Sequence, residues 1–171
     1  LSAADLLDQN LPEQIRNLLE QYQVPATALA LEVTESAVMQ DTNKVIANLN
    51  TLKDMAIKLA IDDFGTGQSS LAYLKQLPVN EIKIDRAFVK DIDSNSNDAL
   101  IVNATVKLAH GLGFKVTAEG LENQAGLSFL QDAGCDTVQG YFFSKPLATA
   151  DFSRWLTNFA QITEPAVEDT E

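Results

Sequence analysis

Hydrophilic side chains recur where five short apolar runs end: Glu32, then Asp62 and Asp63, then Lys83 and Asp85, then Glu119, then Gln139. Gathered at one mouth, the acids would repel one another and lose hydration, a cost that a cation relieves. Ligands made only of oxygen suit hard ions such as Mg²⁺, Mn²⁺ or Ca²⁺ rather than a thiolate-type site. A pair of such ions can clamp the attacking and leaving oxygens of a phosphodiester and lower the pKa of bound water. Metal-assisted phosphodiester hydrolysis is therefore the chemistry to which these residue types point. Lys83 stands apart, because an ammonium inside the run Glu81-Ile-Lys-Ile-Asp85 needs partners or sheds its proton.

For these residues to meet, the runs must be neighbouring strands whose C-terminal ends share a rim, the place where βα loops build active sites in parallel architectures. The pattern supports this. Between Leu29 and Phe159, β-branched or apolar runs alternate with longer stretches of helical periodicity, which predicts five βα units. The strands are expected at Ala28–Val33, Lys58–Asp62, Glu81–Asp85, Phe114–Glu119 and Thr137–Phe143, most of them near-continuously apolar as strands buried on both faces are. A helix over Glu13–Tyr22 precedes the first strand and implies an earlier strand outside the sequence. Asp41 suits an N-cap before Val45, Leu49 and Leu52 on one helix face. Ala99–Leu112 carries Ile101, Val102, Thr105, Leu108 and Ala109, and stops at Gly111 and Gly113, both suited to a left-handed helix end. Asn123–Ala133 and Thr149–Ala160 read as the last helices, and the acidic, aperiodic Glu164–Glu171 as a frayed tail.

The chain has 171 residues, 46% hydrophobic and 21% charged, enough to bury a sizeable core. Its formal net charge of -12 repels nucleic acid and anionic membranes, so neither a DNA or RNA duplex nor a membrane surface is an expected partner. An anionic substrate would need local cations. The one cysteine, Cys135, offers neither an intramolecular disulfide nor a zinc cluster, in keeping with a reducing cytoplasm. No apolar run reaches the roughly 18 residues that span a bilayer, although a parent protein tethered to the inner membrane stays compatible with this segment.

Each site residue also has a plainer reading. An acid after a strand often caps a helix, and Asp63 follows Asp62 directly, so strict alternation would turn it to the opposite face. Thr34 and Glu35 could serve local capping, and Asp85 could pair with Arg86 or Lys83. His110, near a helix C-terminus, reads as structural, Cys135 as a small buried hydrophobe, and Phe152, Trp155 and Phe159 as helix packing. Asp63-Phe64-Gly65 matches the metal-binding tripeptide of kinases, but no Gly-rich loop or His-Arg-Asp accompanies it. Gly65-Thr66-Gly67 lacks dinucleotide or P-loop spacing.

Five motifs in order resemble the successive signatures of EAL domains: Leu31-Glu-Val-Thr-Glu-Ser36, Asp62-Asp-Phe-Gly-Thr-Gly-Gln-Ser-Ser-Leu71, Leu77-Pro-Val-Asn-Glu-Ile-Lys-Ile-Asp-Arg86, Ala118-Glu-Gly-Leu-Glu122 and Gln139-Gly-Tyr-Phe-Phe143. The resemblance implies a TIM-like (β/α)₈ barrel that opens cyclic di-GMP to linear pGpG with Mg²⁺ or Mn²⁺, with Ca²⁺ inhibitory. It implies that Glu32, Asp62 and Asp63 hold metal, with Asp62 bridging two ions. Lys83 would hold the attacking water, and Glu119 would be general base or a second-metal ligand. Gln139 and Asp85 would meet the substrate, and Glu35 would anchor the loop after Asp62 and link the site to dimerisation.

The front of the chain departs from the family pattern. The name-giving Glu-Ala-Leu is absent, and the sequence opens at Leu1-Ser2, just past where the family carries a metal-binding asparagine. A complete barrel of about 250 residues would need about three more βα units. The expectation is an incomplete barrel, residues 1–160, followed by a disordered tail, residues 161–171. Exposed sheet edges would then require a homodimer or another covering partner, and the segment alone would be inactive. The alternative reading is a regulatory module that binds cyclic di-GMP without cleaving it.

Overall fold

Helix and strand signals alternate along the chain, and the computed structural model, which describes residues 1–38, 41–67 and 71–163, folds them accordingly. Helices α1 (Ala3–Leu7) and α2 (Leu11–Tyr22) come first. Ser2 and Asp5 close a capping box on α1, and Pro12 occupies the first turn of α2, where its missing N–H costs nothing. Strand β1 (Ala30–Thr34) leads into α3 (Glu35–Val38) and α4 (Thr42–Asp54), followed by β2 (Lys58–Phe64) and α5 (Leu71–Leu74). Next come β3 (Glu81–Ile84), α6 (Arg86–Val89) and α7 (Ser96–Gly111). The chain continues through β4 (Lys115–Glu119), α8 (Gln124–Asp132), β5 (Thr137–Gln139) and α9 (Thr149–Thr163).

The five strands pair in parallel in the order β1-β2-β3-β4-β5, leaving β1 and β5 as the edges of an open sheet. This is the incomplete α/β barrel that the sequence predicts. The core lies between sheet and helices. Val45, Leu49 and Leu52 of α4 are fully buried, as their spacing demands, behind the Asp41 N-cap. Asn48 is buried with them because its Nδ2 donates to the carbonyls of Leu6 and Asp8, at 2.9 and 3.0 Å, and so satisfies the end of α1.

Several local boundaries shift: β1 starts at Ala30 rather than Ala28, because Ala26–Ala28 form a 3₁₀ turn, and β2 runs on to Phe64. The helix before β4 starts at Ser96, three residues earlier than its apolar pattern, because Asn95 Oδ1 accepts the N–H groups of Asn97 and Asp98. Its buried stripe is Val102, Val106 and Ala109, and Ile101 is 40% exposed. Gly111 remains helical, and Gly113 alone, at φ +85°, makes the left-handed exit. The last strand stops at Gln139 rather than Phe143, because among the described residues β4 is its one neighbour and ends at Glu119. Beyond it the chain folds over Leu121, whose N–H donates to Gln139 O and whose carbonyl accepts the Phe142 N–H. The last helix reaches Thr163, and residues 164–171 of the expected tail lie outside the described residues.

Candidate active site

Strand register decides which side chains can meet. Glu32 pairs with Ala60, two residues before Asp62, and Ala60 pairs with Glu81, two residues before Lys83. Lys83 pairs with Thr117, two residues before Glu119, and Glu119 pairs with Gln139. Each step of two keeps the face, so Glu32, Asp62, Lys83, Glu119 and Gln139 all belong to one side of the sheet at its C-terminal rim.

Lys83 is the hub of this rim. Its Nζ lies 2.5 Å from Glu32 Oε1, 2.6 Å from Glu119 Oε1 and 3.4 Å from Asp62 Oδ1, with its side chain only 10% exposed. Burial disfavours the ammonium, but the hydrogen bonds to Glu119 and Glu32 and the charges of Glu119 and Asp62 outweigh it and push the pKa well above the ordinary lysine value. The group therefore stays protonated and donates. Two residues below, Thr117 Oγ1 donates to Glu81 Oε1, a pair on the same face that the sequence reading passed over. The signal was the same period of two that places Lys83 and Glu119.

Asp63 escapes the alternation that would turn it away. The β2–β3 register shifts between Ile61 and Phe64, and Asp63 sits in that interval with φ +55°, a left-handed conformation that Asp tolerates better than most residues. Its carboxyl pKa is raised, first by burial, then by a hydrogen bond with Asp85 and the charges of Asp62, Asp85 and Glu119. Adjacent acids thus face the same cluster because of a bulge.

The turn after Asp63 is held by Glu35, a buried carboxylate whose Oε2 accepts the N–H of Gly65 at 3.0 Å and of Gly67 at 3.1 Å. A Cβ on Gly67 would stand 2.8 Å from the Glu35 carboxyl carbon, so the close approach requires glycine. Gln68, Ser69 and Ser70 of the same motif lie outside the described residues. Asp85 Oδ1 caps α6 by accepting the Ala87 N–H at 2.7 Å. Arg86 reaches across to Glu122, with 2.5 Å between Nη2 and Oε1, rather than to Asp85.

Beside the rim, Arg86, Glu119 and Gln139 form one side of a cavity of about 740 Å³. Phe152, Trp155 and Phe159 stack in sequence along α9, as packing on a helix allows, and line the same cavity. Away from the site, His110 Nε2 lies 2.8 Å from Asp136 Oδ2. Cys135 is half-buried, its thiol donates to the Thr137 carbonyl at 3.2 Å, and burial pushes its pKa up.

The carboxylates of the rim form a donor set made only of oxygen, the type that divalent hard cations take. Asp62 Oδ1 is shielded from solvent and accepts no hydrogen bond, and its ion pair with the Lys83 ammonium at 3.4 Å leaves room for a harder cation to bind it more closely. Glu32 and Asp63 supply further hard oxygens nearby. Among the described residues no three acidic, histidine or cysteine side chains already enclose a common point, because Glu32, Asp62 and Glu119 all turn to Lys83. The residues fit a hard cation in donor type, and Asp62 Oδ1 accepts no hydrogen bond that such an ion would have to displace. No helix among the described residues is long and apolar enough to cross a membrane.

Comparison with known proteins agrees with this geometry. Residues 1–146 match the family model described as EAL domain. The chain is 43% identical to the cyclic di-GMP phosphodiesterase NbdA of Pseudomonas aeruginosa over 90% of its own length and 20% of the relative's. It is 39% identical to the signaling protein YkoW of Bacillus subtilis over 91% of its length, again 20% of the relative's. The chain thus spans about a fifth of these curated relatives. Among solved structures, the MucR phosphodiesterase in complex with c-di-GMP superposes with a TM-score of 0.84 at 41% identity, covering 89% of this chain and 62% of that one. The EAL domain of Mycobacterium smegmatis DcpA gives 0.85 at 36% identity, covering 92% and 71%. With its motifs, its fold and most of its length matched, the chain belongs to the EAL domain family.

Proposed function

We propose that the chain is part of a metal-dependent cyclic di-GMP phosphodiesterase, which opens the cyclic dinucleotide to linear pGpG. The observation that carries this reading is Lys83, an ammonium held between Glu119 and Glu32 and ion-paired with Asp62 on one rim of the sheet. The names of its relatives point to the same substrate.

Glu32, Asp62 and Asp63 would hold Mg²⁺ or Mn²⁺, which when bound supplies Lewis-acid charge for the scissile phosphate and lowers the pKa of water. Lys83, hydrogen-bonded to Glu119 and Glu32, would fix the attacking water as a hydrogen-bond donor. Glu119, 2.6 Å from that ammonium, accepts the proton the water loses. A new oxygen–phosphorus bond forms, the bond from phosphorus to the 3′ oxygen breaks, and the proton ends on that leaving oxygen. Gln139 and Asp85 border the site from which substrate is contacted. With Glu35 holding the turn, the order of the loop that carries Asp63 depends on one buried carboxylate.

The experiment is single-turnover conversion of cyclic di-GMP to pGpG in the full protein, with Mg²⁺ or Mn²⁺. Glu119→Gln should slow cleavage by about 100-fold or more while leaving binding intact. Asp62→Asn should abolish cleavage more completely than Asp63→Asn at saturating metal. Tight binding by the unaltered protein without turnover would replace this reading with that of a regulatory module, and equal losses in the two aspartate variants would show that Asp62 does not hold metal more strongly than Asp63 would.

A further inference from the structure

Every residue from 119 to 122 is tied down. Glu119 meets Lys83, Leu121 is buried with its N–H and carbonyl pinned to Gln139 and Phe142, and Glu122 meets Arg86. Gly120 lies beneath the Arg86 stem at φ +81°, so close that a Cβ would stand 2.2 Å from Arg86 Cγ and 2.6 Å from Arg86 Cβ. Arg86 itself follows the Asp85 cap of α6, three residues after Lys83. The loop after β3 and the loop after β4 are therefore locked together by an arginine that lies across a glycine and closes on a glutamate.

We propose that Arg86 and Glu122 are positioning residues whose ion pair across Gly120 holds the Glu119 carboxylate within hydrogen-bond reach of Lys83. A half-exposed ion pair contributes little to global stability. Its effect lies in geometry, because a displacement of about 1 Å at reacting groups can cost on the order of 100-fold in rate. Arg86 also borders the cavity beside Glu119, so a guanidinium contact to the anionic ligand is the competing role. The two roles differ in what they change. Positioning acts on the chemical step, whereas a direct contact acts first on binding.

The kinetic part rests on the phosphodiesterase reading, so the test has two arms, both on the full protein. In the first, hydrogen exchange is followed at the amides of Gly120, Leu121 and Glu122 in Arg86→Gln, in Glu122→Gln and in the charge-reversed double variant Arg86→Glu/Glu122→Arg. Both single variants should speed exchange there without changing it in α4, which reports that the fold is intact, and the reversed pair should restore protection. In the second, the same proteins are assayed with cyclic di-GMP and Mg²⁺. The single variants should lower kcat by about 10- to 100-fold at nearly constant KM, with partial rescue in the reversed pair. Unchanged exchange in the single variants, or a rise in KM with kcat preserved, would overturn the proposal. Absence of turnover in the unaltered protein would defeat the phosphodiesterase reading, while the exchange arm would still decide whether the clamp exists.

Discussion

Two carboxylates brace two rim loops by opposite means. Glu35 is buried and accepts two backbone N–H groups from the turn after β2, so it holds main chain directly. Glu122 is partly exposed and holds the loop after β4 through the side chain of Arg86. Lys83 is the joint between them, with Glu32 and Asp62 on the first side and Glu119 on the second. A buried acceptor of backbone N–H groups should govern whether its loop is ordered at all, because its loss releases two main-chain N–H groups at once. An exposed ion pair should govern only where its loop sits.

The largest effect is expected at the joint. Lys83→Ala leaves Glu32, Asp62 and Glu119 facing one another without their cation, and breaking such a pair from one side costs about 3 kcal/mol when it is buried. Cleavage should fall by about 100-fold or more in single turnover, and the urea midpoint should drop with it. Near-normal cleavage would dissolve the joint and leave two unrelated loops. Next comes Glu35→Ala, which leaves the exposed Gly65 and Gly67 amides to water and should cost about 1–2 kcal/mol locally. Hydrogen exchange at those two amides should rise far more than exchange at Leu121 does in Glu122→Ala. Comparable increases would erase the distinction between the two braces.

Two glycines sharpen the comparison further. Gly120→Ala combines a left-handed backbone with a collision against the Arg86 stem and should destabilise by about 1–3 kcal/mol. Gly113 has a similar φ of +85°, but nothing lies within 4 Å of its would-be Cβ, so Gly113→Ala carries only the backbone strain of about 1 kcal/mol. Equal losses in thermal unfolding would mean that the Arg86 stem gives way and clamps nothing.

Periodicity carried the sequence reading as far as periodicity acts. Strands β1 to β4 and the face shared by Glu32, Asp62, Lys83 and Glu119 follow from alternation and from apolar runs, which burial on both sides enforces. What breaks the period was not legible. Asp63 joins the cluster through a bulge, and nothing in Asp62-Asp63-Phe64 shows that φ becomes positive there. Strand β5 ends where its β4 partner ends and has no second neighbour among the described residues, a property of the sheet rather than of Thr137–Phe143. The Arg86–Glu122 pair spans 36 residues of sequence, and local reading set Arg86 beside Asp85 instead. Glu35 was reached through family resemblance, because Thr34-Glu35 alone reads equally well as local capping.

A third brace, at the opposite end of the strands, supplies the smallest effect and a control for the other two. Asp136 Oδ2 accepts the Val116 N–H at 2.9 Å and lies 2.8 Å from His110 Nε2, tying the start of β4 to the end of α7. The hydrogen bond from His110 holds the Asp136 carboxyl below the usual aspartate range, against partial desolvation, with help from the Val116 N–H and the charges of His110 and Lys115. A carboxyl whose pKa is lower folded than unfolded binds fewer protons in the native state. Its contribution is therefore present above the unfolded value of about 3.9 and disappears as pH falls through the depressed folded value. Because the side chain is about one-third exposed, that contribution is discounted to under about 1 kcal/mol, or roughly 2–4 °C in Tm at most. Melting curves of the unaltered protein and Asp136→Asn should differ by this small amount at pH 6 and converge below pH of about 4. The variant should also cleave cyclic di-GMP at the normal rate, since nothing at this end touches Lys83 or Glu119. A gap that persists into acid would remove the carboxylate's charge as the cause, and a loss of cleavage would show that the two ends of the sheet are coupled.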